Sequence, residues 1–299
     1  MRRRSGAVPW LLVGGALAAL ALALLGVDVA GRGTGELRIP AAGTVTVLRA
    51  AVCAALAVHL GELAGARLVG AGPLPRSWAL SAALAGALAS GGQILRLAQV
   101  SGLDLASAYG TREGQLLLLM ANGFLAAAGC VFLKREGWAA GPLAVVVGAE
   151  ALRAHPEPYS PEIGAALTAL HLTAASLWAG GLLYVLRTAW LRRGGREAFV
   201  RYARLAAWLF VVLAATGTAS TLRRLPADVV FTTAYGRVLI AKLVLVALAC
   251  ALALVARRRL TRGKDARPPA RLELGVLAGV VLLSAILTAV PDPHWLSIR

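Results

Sequence analysis

Acidic residues are scarce in this chain: 14 aspartates and glutamates stand against 31 lysines and arginines, and charged residues of both signs make up only 15% of the 299 positions. Hydrophobic residues make up 59%. A water-soluble core cannot absorb that much apolar surface, so a soluble globular fold is excluded. Cysteine is limited to Cys53, Cys130 and Cys250, each inside an apolar run. An odd number of thiols at lipid depth is no disulfide framework, and they read as small packing residues, with soft-metal ligation the lesser alternative. The only methionines are Met1 and Met120. No Gly-x-Ser-x-Gly elbow, phosphate loop, His-Glu-x-x-His or Cys-x-x-Cys motif occurs. A hydrolase or an ATP-driven pump therefore has no support, and no enzymatic activity is expected. Internal repeats, soluble domains and long disordered linkers are missing as well.

What the chain does have is long apolar runs. They lie at Pro9–Val27, Thr44–Ala66, Ser77–Leu97, Gln115–Leu133, Trp138–Leu152, Ile163–Leu186, Phe199–Leu222, Tyr235–Val255 and Leu272–Val290. All but the fifth approach the ~20 residues that cross the hydrocarbon core. The first run is longer than a usual signal-peptide core, and Asp28 spoils a cleavage pattern, so it reads as a retained helix. Ala82, Gly86 and Ser90, four apart, make a small-residue stripe for close helix contact. The expected fold is all-α: a polytopic bundle of about nine membrane helices. It divides into residues 1–162, with helices one to five, and residues 163–299, with helices six to nine, in one continuous bundle.

Placing the basic residues orients the bundle. With nine crossings and a cytoplasmic N-terminus, 20 of the 31 fall in inside segments, nine outside, and two, Arg49 and Lys242, within helices. That satisfies the positive-inside rule and puts the C-terminus outside. It also requires the short fifth run to cross, since otherwise the two richest basic segments would face outward. The charge of +17 is thus a topology signal facing anionic lipid, and no nucleic-acid partner is needed to explain it. Most acids fall on or near the outer face, a mild attraction for cations. Glu273 is placed with the inside basic segment.

Candidate ligands are few. The four histidines are His59, His155, His171 and His294. His155 and His294 fall in outer segments, His171 about two turns into helix six, and His59 deeper in helix two. His59 and Glu62, three apart, share a helix face, where such a pair can bind a metal, relay a proton, or simply satisfy each other between helices. Lys242 breaks the apolar run of helix eight. A cation at mid-bilayer costs about 2.5–3.5 kcal/mol, so it either snorkels to the interface or serves a structural pair or a path. By depth, Glu150 is a candidate partner.

Helix six, Ala165–Arg187, carries His171 and then Trp178-Ala179-Gly180-Gly181-Leu182. Downstream come Arg201-Tyr202-Ala203-Arg204-Leu205, Thr216-Gly217, Thr232-Thr233-Ala234-Tyr235-Gly236-Arg237 with Lys242, and Arg257-Arg258. These segments resemble the defining region of the copper resistance D (CopD) family over roughly Ala165–Leu260. The resemblance implies a multi-pass protein of the bacterial cytoplasmic membrane that handles copper, with copper import as the expected activity and a periplasmic CopC-like protein as partner. On that reading His155, Glu150 and His294 collect copper outside, His171 is the first ligand within the bundle, and His59 with Glu62 lies on the exit side. Lys242, Tyr235, Arg237 and Trp178 are the further functional residues. A b-type haem protein is the first alternative; it is disfavoured because His59 and His171 differ in depth by about 11 Å at helical rise. A membrane factor in copper-oxidase assembly, without transport, is the second.

Overall fold

The computed structural model describes residues 7–69, 75–153, 160–191 and 196–291. Among these residues the secondary structure is helical throughout: α1 (Ala7–Ala30), α2 (Ala42–Val69), α3 (Ala79–Ser101), α4 (Leu105–Gly110), α5 (Arg112–Phe132), α6 (Ala140–Arg153), α7 (Pro161–Trp190), α8 (Arg196–Arg224), α9 (Ala234–Thr261) and α10 (Arg267–Leu287). The helix ends follow local chemistry. Thr111 and Thr233 cap α5 and α9 by accepting from Gly114 N and Gly236 N. Gly102, at φ 63°, closes α3 in the left-handed conformation, and Pro161 opens α7, where no amide donor is needed.

Seven helices, α2, α3, α5, α7, α8, α9 and α10, are long and apolar enough to cross a membrane. The protein is an all-α polytopic membrane bundle. Each of the nine expected runs is a helix, and α4 is an addition the hydropathy does not foretell. Two expected crossings, α1 and α6, are not among these seven. In α1 the apolar stretch with described side chains is Gly14–Ala30. The other, α6, has 14 residues, but a 3-10 turn at Glu136–Ala139 precedes it. Together they rise about 29 Å, close to the hydrocarbon thickness. Pro142 sits in the first turn of α6, where its missing N–H removes no helical bond.

Contacts at the helix ends show the alternation. On one face Glu36 accepts from Ala234 N at 3.0 Å, Arg237 donates to Arg32 O at 2.7 Å, and Arg223 donates to Ser160 Oγ. On that same face Arg153, the last residue of α6, meets Glu113 in the first turn of α5 at 3.1 Å. So α6 runs back antiparallel along α5. On the opposite face Arg187 pairs with Glu62, and Arg196 donates to Leu260 O at 2.9 Å.

The central contact is α2 on α7. A Cβ on Gly180 would lie 1.7 Å from Ala57 O, and one on Gly61 would lie 2.3 Å from the Gly180 carbonyl carbon. Only glycines let the two backbones touch there, the small-residue logic of packing in lipid. The Ala82-Gly86-Ser90 stripe performs the same task on α3, where the Phe124 ring of α5 lies over Gly86. By contrast, α8 and α9 bury little of their length inside the protein, and their exposed Trp208, Val244 and Leu254 form lipid-facing surface.

Candidate functional site

At helical rise, four polar side chains lie at a similar depth, about 12–17 Å below the α1–α2 face: Cys53 on α2, His171 on α7, Thr216 on α8 and Lys242 on α9. They are one neighbourhood, because Lys242 is within electrostatic reach of both His171 and Cys53. Thr216 is buried, and the other three are half-buried.

His171 is held in a defined state. Thr216 Oγ1 donates its only hydrogen to Val212 O at 2.7 Å. Its 2.9 Å contact with His171 Nδ1 is therefore an N–H donated by the imidazole. That assigns the proton to Nδ1 and leaves the Nε2 lone pair free, with no partner among the described residues. A ring nitrogen anchored through its neighbour in this way is the usual state of a metal-binding histidine. Gly217 packs beside the ring: a Cβ there would stand 3.4 Å from His171 Cε1, in ordinary contact. Within the Thr216-Gly217 pair it is thus the threonine hydroxyl that orients the imidazole.

His59 is deeper, about 26 Å below the start of α2. It is fully buried, and both ring nitrogens lack a partner among the described residues. The expected pairing with Glu62 does not form. Glu62 is taken by Arg187 and by Trp78 N at 3.1 Å, and the Arg187 guanidinium lies 3.6 Å above the Trp78 ring. Glu62 therefore latches α2, α7 and the segment before α3 together.

Glu150 is also taken, and not by Lys242. Its carboxylate meets Arg49 Nε at 3.4 Å and Arg153 at 3.0 Å. Arg153 reaches on to Gln93 Oε1 at 2.8 Å and to Glu113, while Arg49 donates to Thr288 O at 3.0 Å. This buried network ties α2, α3, α5, α6 and the end of α10. The expected Lys242–Glu150 pair is replaced by it, because two guanidiniums with several fixed donors hold one carboxylate better than a single ammonium. Lys242 has no hydrogen bond or ion pair among the described residues.

The Thr-Thr-Ala-Tyr-Gly-Arg segment docks α9. Thr233 caps the helix, and a Cβ on Gly236 would meet Val230 O at 1.8 Å. Arg237 donates to the carbonyls of Ala30 and Arg32, and Tyr235 is buried beside α10. These are anchoring contacts at the α1–α2 face. Trp178 is buried and donates through Nε1 to Glu273 Oε1 at 3.0 Å. Glu273, read from sequence as part of the basic inside segment, is 2% exposed within α10. Its place as the second residue of the apolar run Leu272–Val290 was the available signal. His155 and His294 lie outside the described residues.

Among the described residues no group of three or more His, Cys, Asp or Glu is arranged to hold a metal ion. Among the described residues, a copper ion beside His171 would therefore meet at most one further ligand of these types. No curated protein and no solved structure shows a significant match to the chain. Residues 196–290 match the family described as Copper resistance protein D. The match takes in α8, α9 and α10, beyond the C-terminal limit of the sequence resemblance, and leaves the histidine-bearing α7 outside. Over residues 196–290, and there alone, the chain is similar to the copper resistance protein D (CopD) family.

Proposed function

We propose that this protein passes copper across the bacterial cytoplasmic membrane toward the cytoplasm, with the α1–α2 face outside. The observation that carries the reading is His171, held by Thr216 with Nε2 unoccupied, at mid-bundle beside a family-defining segment. Imidazole and thiol are donors that suit copper, and Cys53 stands at the same level. His59, with two unpaired ring nitrogens nearer the opposite face, is the next donor along the path. His155 and His294 are the outer collecting ligands. Glu150 and Glu62 are not among the ligands proposed, since arginines occupy both. The orientation rests on the 20 basic residues assigned to the inside, and the outer histidines suit delivery by a periplasmic CopC-like protein.

A haem between α2 and α7 is disfavoured. Gly61, two residues from His59, has its backbone against Gly180, which leaves no room for a macrocycle between these helices. The assembly-factor reading predicts no copper flux. Copper content of cells lacking the gene, measured with and without re-expression, decides between them: uptake restored by re-expression supports import. Unchanged copper content at normal protein abundance would contradict it.

A further inference from the structure

Three carboxylates are buried in the described bundle, and they differ in company. Glu62 faces Arg187, and Glu150 faces Arg49 and Arg153. Glu273 is the most deeply buried of the three and has no ion-pair partner among the described residues. Its Oε1 accepts one neutral hydrogen bond, from Trp178 Nε1 at 3.0 Å. The groups facing it are that indole from α7, the Tyr202 hydroxyl from α8 and the Cys250 thiol from α9. Tyr202 donates its own hydrogen elsewhere, to Trp178 O at 3.0 Å. The described residues of α1 and α2 bring no charge to it. An isolated carboxylate with one neutral donor is costly to bury, and it meets that cost by holding a proton. Intramembrane acids of this kind are the usual members of proton paths. Water is near: Glu273 is about 9 Å along α10 from its Arg267 end.

We propose that Glu273 is a proton-exchanging group that couples cation passage to the proton gradient. The coupling rests on the copper reading above, whereas the proton exchange does not. The carboxyl takes a proton from hydronium on the Arg267 side: one O–H bond breaks there as one forms at the carboxylate, whose charge passes from −1 to 0. Release to water of the opposite face reverses both and completes the transfer. It has one negative charge to neutralise, so a proton on it and a cation passing this level are alternatives. That makes the coupling an exchange of one proton for one monovalent cation, so copper entering down its own gradient carries a proton outward. Trp178 is the positioning residue, fixing the carboxyl between α7 and α10.

The test uses the full-length protein in lipid vesicles, as parent, Glu273→Gln and Glu273→Asp. Glutamine keeps the volume and an acceptor for Trp178, and equal yield of monodisperse protein checks folding. In infrared difference spectra between acid and alkaline pH, the parent should show a carboxylic C=O band that disappears on deprotonation and is missing from Glu273→Gln. No such band assignable to Glu273 overturns the proposal. In copper accumulation, acid-inside vesicles of the parent should change the steady-state ratio about tenfold per pH unit, the value for one-to-one exchange. Glu273→Gln should lose that dependence, and Glu273→Asp should keep part of it. A titrating Glu273 in a parent whose copper flux ignores the gradient, or a Glu273→Gln protein that still follows it, overturns the coupling. Absence of copper flux from the parent overturns the copper reading and the coupling together, while the infrared result still decides whether Glu273 exchanges protons.

Discussion

His171 and Thr216 work as a pair, because the threonine hydroxyl cannot donate to both Val212 O and the imidazole. Thr216→Val removes the acceptor that holds Nδ1–H and strands a donor in the bundle, at about 1–3 kcal/mol. The expected outcome is a partial loss of copper accumulation, in the same direction as His171→Ala and smaller, measured at matched membrane abundance. Lys242 is a different case. It stands among His171 and Cys53 without an ion pair among the described residues, so Lys242→Met should alter copper accumulation while leaving abundance unchanged. Adding Glu150→Gln should not rescue it. That second change leaves Arg49 and Arg153 short of their shared carboxylate, a break worth about 3–5 kcal/mol in a buried network, and should lower abundance by itself. His171 and Lys242 were legible as special positions, because polar residues inside apolar runs announce themselves, whereas Thr216-Gly217 stood out only through the family resemblance. Their partners were not legible. Spacing along one helix says which residues share a face, but the Arg49–Glu150 and Trp178–Glu273 contacts join residues on separate helices.

Helices α2 and α7 are held by touching backbones at one level and by the Glu62–Arg187 latch at the end of the bundle opposite the α1–α2 face. Gly180→Val must force apart two main chains rather than move a flexible side chain. The expected cost exceeds the 1–3 kcal/mol typical of overpacking, read as loss of detergent-stable monodisperse protein. At this scale the hydrophobic runs marked the helices well, because a membrane helix must satisfy its backbone internally and so shows a continuous apolar stretch. The short fifth run was ambiguous by length. Basic-residue placement resolved it, and the Arg153–Glu113 contact bears out its antiparallel course beside α5. Hydropathy could not reveal α4, whose six residues follow an Asp104 cap.

Across the whole molecule the polar groups form tiers: an arginine–carboxylate network near the α1–α2 face, His171 with Lys242 and Cys53 below it, then His59 and Glu273 further in. Salt bridges hold the outermost tier and the Glu62–Arg187 latch at the other end, whereas the groups between them lack charged partners among the described residues. That division separates what closes the bundle from what is free to act on a cation. The orientation follows from charge, so a reporter inserted at Gly263 should be active only in the cytoplasm and one at Thr34 only outside; the reverse pattern would invert the proposed direction. The account turns most on copper meeting His171 Nε2. Cells lacking the gene and re-expressing either the parent or His171→Ala, matched for folded protein in the membrane, measure this directly as accumulated copper. The parent should restore accumulation and His171→Ala should fall to near the level of cells without the gene. Equal accumulation by the two proteins would contradict a ligand role for His171 and the path built around it.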